Sequence, residues 1–143
     1  PQTAGGEAHR TVTDEAFTAL EAAGGYALSW QAHGLNYGIP KTYEAALSRG
    51  TCVVANVSRT VIEQARELYR PLAIIKISAP EDLLRQRLMA RGREGAAEIE
   101  GRIRRAGEFD VSGPDVVELS NDSPLEIGIA RLVNILRSLT RAE

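Results

Sequence analysis

Cysteine occurs once in this sequence, at Cys52, so neither an internal disulfide nor a thiolate metal cluster can form. Cys52 stands in the apolar run Cys-Val-Val-Ala and is expected to be a buried, reduced core side chain, in keeping with a cytoplasmic protein. No apolar run approaches the roughly 20 residues of a membrane span, and no signal-peptide pattern is visible, so no membrane partner is expected. A strong charge of one sign is also missing. The formal net charge of −2 gives no global support for nucleic-acid binding. There is no internal repeat, low-complexity tract or long linker. No nucleophile triad, zinc-ligand spacing or paired-carboxylate pattern is apparent, and no metal-ligating residue is singled out. What remains is ordinary for a soluble globular chain: 143 residues, 43% apolar and 25% charged, enough for one domain with a real core.

From residue 51 onward the pattern alternates strand and helix. Thr51 to Val57, Leu72 to Ile77 and Asp115 to Leu119 read as buried strands. Ser58 can cap a helix with Val61, Ile62, Ala65, Leu68 and Tyr69 on its apolar stripe, stopped by Pro71. Ser78 to Glu81 and Ser123 to Glu126 have capping-box spacing. The first opens a helix with Leu84 and Leu88 inward. The second, with proline at the first helical position, opens a helix whose stripe Leu125, Ile129, Leu132, Leu136 and Leu139 is expected to be core. Such alternation implies an α/β fold with a mostly parallel sheet and right-handed crossovers. The first fifty residues differ. Thr13 caps a short helix with Phe17 and Leu20 inward, ended by Gly24-Gly25. Tyr26 to Gln31 and Leu35 to Gly38 are strands joined at His33-Gly34, and Thr42 to Arg49 is a helix. This reads as a small α+β insert.

Of fifteen arginines, seven fall between Arg85 and Arg105. Arg87 and Arg91 share a helix face, Gly92 stops that helix, and Arg102, Arg104 and Arg105 follow on the next. Two short helices hinged at Gly92 and Gly95 would close arginine forks over a polyphosphate. The interleaved Glu94, Glu98, Glu100 and Glu108 are what a solvated, ion-paired face carries, and the charge pattern taken alone favours that reading. Parallel sheets place ligands beyond the carboxyl ends of their strands. Those ends carry Asn56-Val-Ser-Arg59, Ser78-Ala-Pro80 and Ser120-Asn-Asp122. Asn56, Ser58 and Arg59 suit hydroxyls and phosphate, while loop and cap chemistry explains Asn56 and Ser58 as well. Tyr37 precedes Gly38, so a backbone turn there would aim its phenol into a cleft; a core tyrosine is the alternative. His9, beside Arg10, is either a loop residue or a phosphate contact. Trp30 reads as core and His33 as a turn. The chemistry on offer is phosphate handling, which fits phosphoryl transfer.

The segments Gly-Glu-Ala-His9, Leu28-Ser-Trp-Gln-Ala-His-Gly-Leu-Asn-Tyr-Gly38, Val54-Ala-Asn-Val-Ser-Arg59 and Leu84-Arg-Gln-Arg-Leu-Met-Ala-Arg-Gly-Arg-Glu94 resemble the guanylate-kinase-like group of P-loop kinases. Within it the chain is most similar to the bacterial ribose 1,5-bisphosphate phosphokinases of phosphonate utilisation, from Pro1 to about Leu139. The resemblance implies a P-loop nucleoside-monophosphate-kinase-like core at 51–90 and 108–143, an acceptor-binding insert at 1–50 and a helical lid at 91–107. It makes Arg87, Arg91 and Arg102 lid and phosphate-clamping arginines. His9 and Tyr37 would meet the acceptor's phosphate, with Ser29, Asn56, Ser58 and Arg59 on the acceptor side and Arg91 and Asn121 toward the nucleotide. Ser29 stands where guanylate kinases carry the glutamate that reads guanine, Ile39 replaces a small hydroxyl residue, and Asn56 and Ser58 replace Asp-x-Asp. Guanine's ring donors would go unpaired at such a site, so a sugar phosphate without a base is the expected acceptor.

The implied activity is ATP-dependent phosphorylation of ribose 1,5-bisphosphate to 5-phosphoribosyl 1-diphosphate, with ATP and Mg²⁺. Two other readings stand beside it: a guanylate kinase-like nucleotide kinase, against which Ser29 and Ile39 argue, and a non-catalytic guanylate-kinase-like binding module, which would have no need of the arginine lid. No Gly-x-x-x-x-Gly-Lys-Ser/Thr sequence occurs in these residues. The chain opens on Pro1 rather than Met, and the resemblance places the P-loop and the strand before it upstream. The chain is therefore expected to be the larger part of such a kinase.

Overall fold

A computed structural model describes residues 10–32, 34–92, 95–108 and 111–141, with backbone alone at 105–108. The chain forms two compact units that divide between Arg70 and Pro71.

In the first unit, α1 (Asp14–Ala22) opens on Thr13, whose Oγ1 accepts the Ala16 amide at 3.2 Å. It stops before Gly24, which takes a left-handed φ of 68°. Strands β1 (Tyr26–Ala32) and β2 (Leu35–Pro40) pair antiparallel, with Ser29 opposite Gly38 and Trp30 opposite Tyr37. The Phe17 ring stacks on Tyr26 at 4.6 Å between centroids and fastens α1 to the hairpin. A 3₁₀ turn (Lys41–Tyr43) leads into the single-turn α2 (Glu44–Leu47). A second 3₁₀ turn (Arg59–Val61) leads into α3 (Ile62–Leu68). Phe17, Leu28, Val61, Ile62 and Ala65 are buried. The Tyr69 hydroxyl donates to Glu44 Oε1 at 2.9 Å, and burial together with that carboxylate pushes the phenol up to about 12.

Several expectations for this unit change. Residues 51–58 form no strand. Their β-branched, apolar composition favours extended backbone, but a strand also requires a neighbour to bond, and among the described residues none pairs with them. Cys52 is accordingly exposed rather than buried. Leu20 and Leu68 are exposed, because their apolar stripes run past the part of each helix that is covered. Positions 37 and 38 lie within β2, so no turn aims Tyr37. Gly38 fits there because a Cβ would strike the Tyr26 ring.

In the second unit, β3 (Ile74–Ser78) and β4 (Val116–Ser120) pair in parallel, Ile74 beside Val116 through Ser78 beside Ser120. Between them lies a helical hairpin, α4 (Glu81–Arg91) and α5 (Ala96–Glu108). Leu88, Ile99 and Ile103 form its buried core with Leu84 packed against them. Gly92 ends α4 with φ 63°, the left-handed conformation that glycine tolerates best. The chain finishes with α6 (Leu125–Leu139), which packs back on β4. The unit is thus a mixed α/β structure around a small parallel sheet.

Neither capping box forms. Pro80 and Pro124 occupy the N-cap positions without side-chain bonds, because α4 starts two residues and α6 one residue later than the spacing implied. Ser78 is taken into β3, and the Ser123 hydroxyl donates to Asp122. The α6 stripe is not core either: Leu125, Ile129 and Leu139 are exposed and Leu132 and Leu136 half-buried. Helical periodicity identifies an apolar face but not what covers it. Among the described residues no helix is long and apolar enough to cross a membrane.

Candidate functional site

Parallel pairing of β3 and β4 brings two strand ends to one edge, and the Asn121 amide continues the ladder by donating to Ser78 O at 2.7 Å. The loop that follows, residues 120–123, receives two guanidinium groups. Arg87 of α4 donates to Asn121 O at 2.7 Å and to Ser123 O at 3.3 Å. Arg131 of α6 donates to Ser120 O at 3.1 Å and to Asp122 Oδ1 at 2.8 Å. The Asp122 carboxylate also accepts the hydroxyls of Ser123 at 2.7 Å and Ser120 at 3.0 Å. These bonds, from Ser123, Arg131 and Ser120, hold its carboxyl well below the usual carboxylate range.

The arginine-rich segment divides by task. Arg85 bridges the two helices at the surface of the hairpin, donating through Nε and Nη2 to the two Glu100 oxygens at 2.7 and 3.2 Å and through Nη1 to Asp82 at 3.1 Å. This bidentate bond holds Glu100 below its ordinary range. Glu98 accepts the Gly95 amide at 2.8 Å at the start of α5. Arg87 holds the strand-end loop. Arg91, in the last turn of α4, and Arg102, on α5, have exposed side chains at the two arms of the hairpin. The solvated, ion-paired reading describes Arg85 and its glutamate.

In the first unit Trp30 and Tyr37 stack as a cross-strand pair, centroids 5.6 Å apart and 9° from parallel. Ser29 is half-buried opposite Gly38 and donates to Glu21 Oε1 at 2.7 Å. The loop residue Asn56 is exposed. Ser58 serves as a cap, accepting the Thr60 amide at 3.4 Å and its hydroxyl at 3.0 Å. Arg59, exposed, opens the 3₁₀ turn. His9 lies outside the described residues. Among the described residues, no three His, Cys, Asp or Glu side chains gather as a metal site.

Three residues escape a reading of the sequence by motif. Glu21 carries its carboxylate to Ser29 from another element, which spacing cannot reveal. Asp122 and Arg131 had a faint signal: Arg131 is the single charge between Glu126 and Arg137 of an otherwise apolar helix, a position that asks for a partner.

No family model matches this chain. Curated relatives do. The chain is 41% identical over 133 residues to a ribose 1,5-bisphosphate phosphokinase PhnN of Pseudomonas fluorescens, covering 90% of this chain and 70% of that protein. It is 41% identical over 137 residues to the protein of the same name from Rhizobium etli, covering 95% of this chain and 69% of the other. A bifunctional ribose 1,5-bisphosphokinase-thymidine phosphorylase of Cupriavidus necator is 38% identical over 141 residues, 99% of this chain. The chain spans only 24% of that bifunctional relative's length.

Proposed function

The chain belongs to the ribose 1,5-bisphosphate phosphokinase family, and from that premise we propose that its protein transfers the γ-phosphoryl group of ATP to ribose 1,5-bisphosphate. An oxygen of the sugar's C1 phosphate attacks the γ-phosphorus, the bond to the β–γ bridging oxygen breaks, and ADP leaves. The product is 5-phosphoribosyl 1-diphosphate. In this reading the fold is a P-loop nucleoside-monophosphate-kinase-like core with an acceptor insert and a lid.

The observation that supports it most directly is the build of the second unit. Helix α4 carries Arg91 in its last turn and is tied by Arg87 to the loop at the strand ends, where parallel sheets take their ligands. Arg91 and Arg102 would meet the phosphates of ATP, and their permanent charge and planar forks suit oxygens that gain charge in the transition state. Asn121 would lie toward the nucleotide. Bound ATP supplies the phosphoryl group. Mg²⁺, the usual companion of ATP, finds no carboxylate cluster among the described residues, and no step is assigned to it. Ser29, Tyr37, Asn56, Ser58 and Arg59 would bind the acceptor, Ser29 through the lone pairs left when its proton goes to Glu21.

One observation favours the guanylate-kinase-like reading. Glu21 places a carboxylate 2.7 Å from Ser29 Oγ, close to where that group carries its base-reading glutamate. Coupled assays with both acceptors decide between them. Ribose 1,5-bisphosphate is expected to give much the higher kcat/KM; a comparable or higher value for GMP overturns the sugar reading.

A further inference from the structure

We propose that Asp122 and Arg131 are positioning residues that hold the 120–123 loop in the shape a nucleotide requires, acting through Asn121. The inference rests on the kinase reading above and adds two residues that the resemblance does not single out. Its basis is the density of bonding in four residues. Two arginines from different helices converge on the loop and satisfy three of its backbone acceptors, the carbonyls of Ser120, Asn121 and Ser123. The Asp122 carboxylate takes one bond from Arg131 and two from the neighbouring hydroxyls. A loop needed only to connect a strand to a helix is adequately served by a turn and a cap; neither α4 nor α6 has a side-chain cap, and Ser123 is diverted from that duty to Asp122.

The chemistry of the arrangement suits a polar ligand. Carbonyl oxygens at this edge would repel phosphate, and three of them are turned onto guanidinium groups instead. The Asn121 amide is anchored on β3 at 2.7 Å, and its side-chain oxygen rests over Gly128, where a Cβ would lie only 3.4 Å away. Asn121 is thereby held at both backbone groups and against α6, while its carboxamide offers both a donor and an acceptor. Without Arg131, Asp122 keeps its charge but loses the cation that faces it, and the loop is free to turn its carbonyls outward. A preformed loop avoids ordering cost on binding, so the benefit belongs to nucleotide affinity rather than to the chemical step.

The test uses the natural protein with Asp122→Asn, Arg131→Ala and Arg131→Lys, measuring KM for ATP, KM for the acceptor, kcat at saturating ATP, binding of a fluorescent ATP analogue, and thermal melting. Asp122→Asn and Arg131→Ala are expected to raise KM for ATP and weaken analogue binding by about tenfold, the factor that 1.4 kcal/mol of lost loop order represents. Acceptor KM and saturated kcat should stay within about twofold, as expected when only nucleotide binding loses an interaction. Arg131→Lys should recover part of the loss, because an ammonium can still reach one of the two acceptors. Unchanged nucleotide affinity in folded variants overturns the proposal, as does a parallel loss of both substrates' binding that tracks the melting temperature. Asp122→Asn preserves side-chain shape and carries the test if Arg131→Ala does not fold. If the unaltered protein fails to phosphorylate ribose 1,5-bisphosphate, the kinase reading falls, while analogue binding still judges the loop.

Discussion

Two glycines show how far a single residue's role depends on its backbone. Gly92 has φ 63°, so any side chain there meets the strain of left-handed backbone, about 1–2 kcal/mol. Gly101 lies inside α5 with open space where a Cβ would go. Gly92→Ala should lower the melting temperature by a few degrees, and Gly101→Ala should raise it, by roughly 0.5–1 kcal/mol of stability. Opposite signs in parallel thermal melts confirm the assignment; equal signs overturn it. Asp122 makes a different prediction. Its carboxyl is depressed in the folded chain, by Ser123, Arg131 and Ser120, and has an ordinary value near 3.8 when unfolded. Below about pH 4 the unfolded chain takes up a proton that the folded one refuses, so acid favours unfolding. The stabilisation is present above the unfolded value and disappears as pH falls toward the folded one. Asp122→Asn should therefore flatten the acid limb of stability against pH, measured by denaturant titration between pH 5 and 2.

At the scale of elements, the α4–α5 hairpin was the most legible part of the sequence and the 51–58 segment the least. Leu84 and Leu88 recur at helical spacing, and Gly92 has the one residue type that ends a helix without penalty in left-handed backbone, so local chemistry and packing agreed. Residues 51–58 have strand composition but no strand, since pairing is supplied from elsewhere in a fold. The capping boxes failed for a local reason: proline after Ala79 and after Ser123 took the N-cap position, and each serine found a stronger engagement in the strand or with Asp122. Leu88 is the test of the hairpin. It is buried at 5% exposure against Ile99 and Ile103, and truncation to alanine should cost about 2–5 kcal/mol. Glu100→Gln, which weakens the exposed Arg85 bridge, should leave the melting temperature nearly unchanged, because solvent screens such a pair. A larger loss from Glu100→Gln than from Leu88→Ala would show that the bridge, not the apolar core, holds the hairpin together.

For the whole molecule, arginine clustering marked the α4–α5 hairpin but could not show what each arginine bonds; that needed Glu100 and the strand-end loop in three dimensions. Arg91→Ala and Arg102→Ala in the natural protein should each lower kcat strongly with melting unchanged. An arginine that stabilises a transferring phosphoryl group is worth about 10³–10⁵ in rate. Near-normal turnover in both variants would return these side chains to a solvated face. The parallel pairing of Ile74 with Val116 has a consequence of another kind, in time rather than energy. Strand partners so distant along the chain must close a long loop before any ladder bond forms, and that search slows folding. Helices α4 and α5 occupy the intervening segment and fold it back on itself through Leu88, Ile99 and Ile103. Once formed, the hairpin shortens the loop that β3 and β4 have to close. The antiparallel β1–β2 pair needs no such help, since its partners Ala32 and Leu35 are nearly adjacent. The hairpin that carries Arg91 and Arg102 is thus expected to set the pace at which the parallel sheet assembles, and Leu88→Ala should slow refolding more than it speeds unfolding, as rates from denaturant jumps would show.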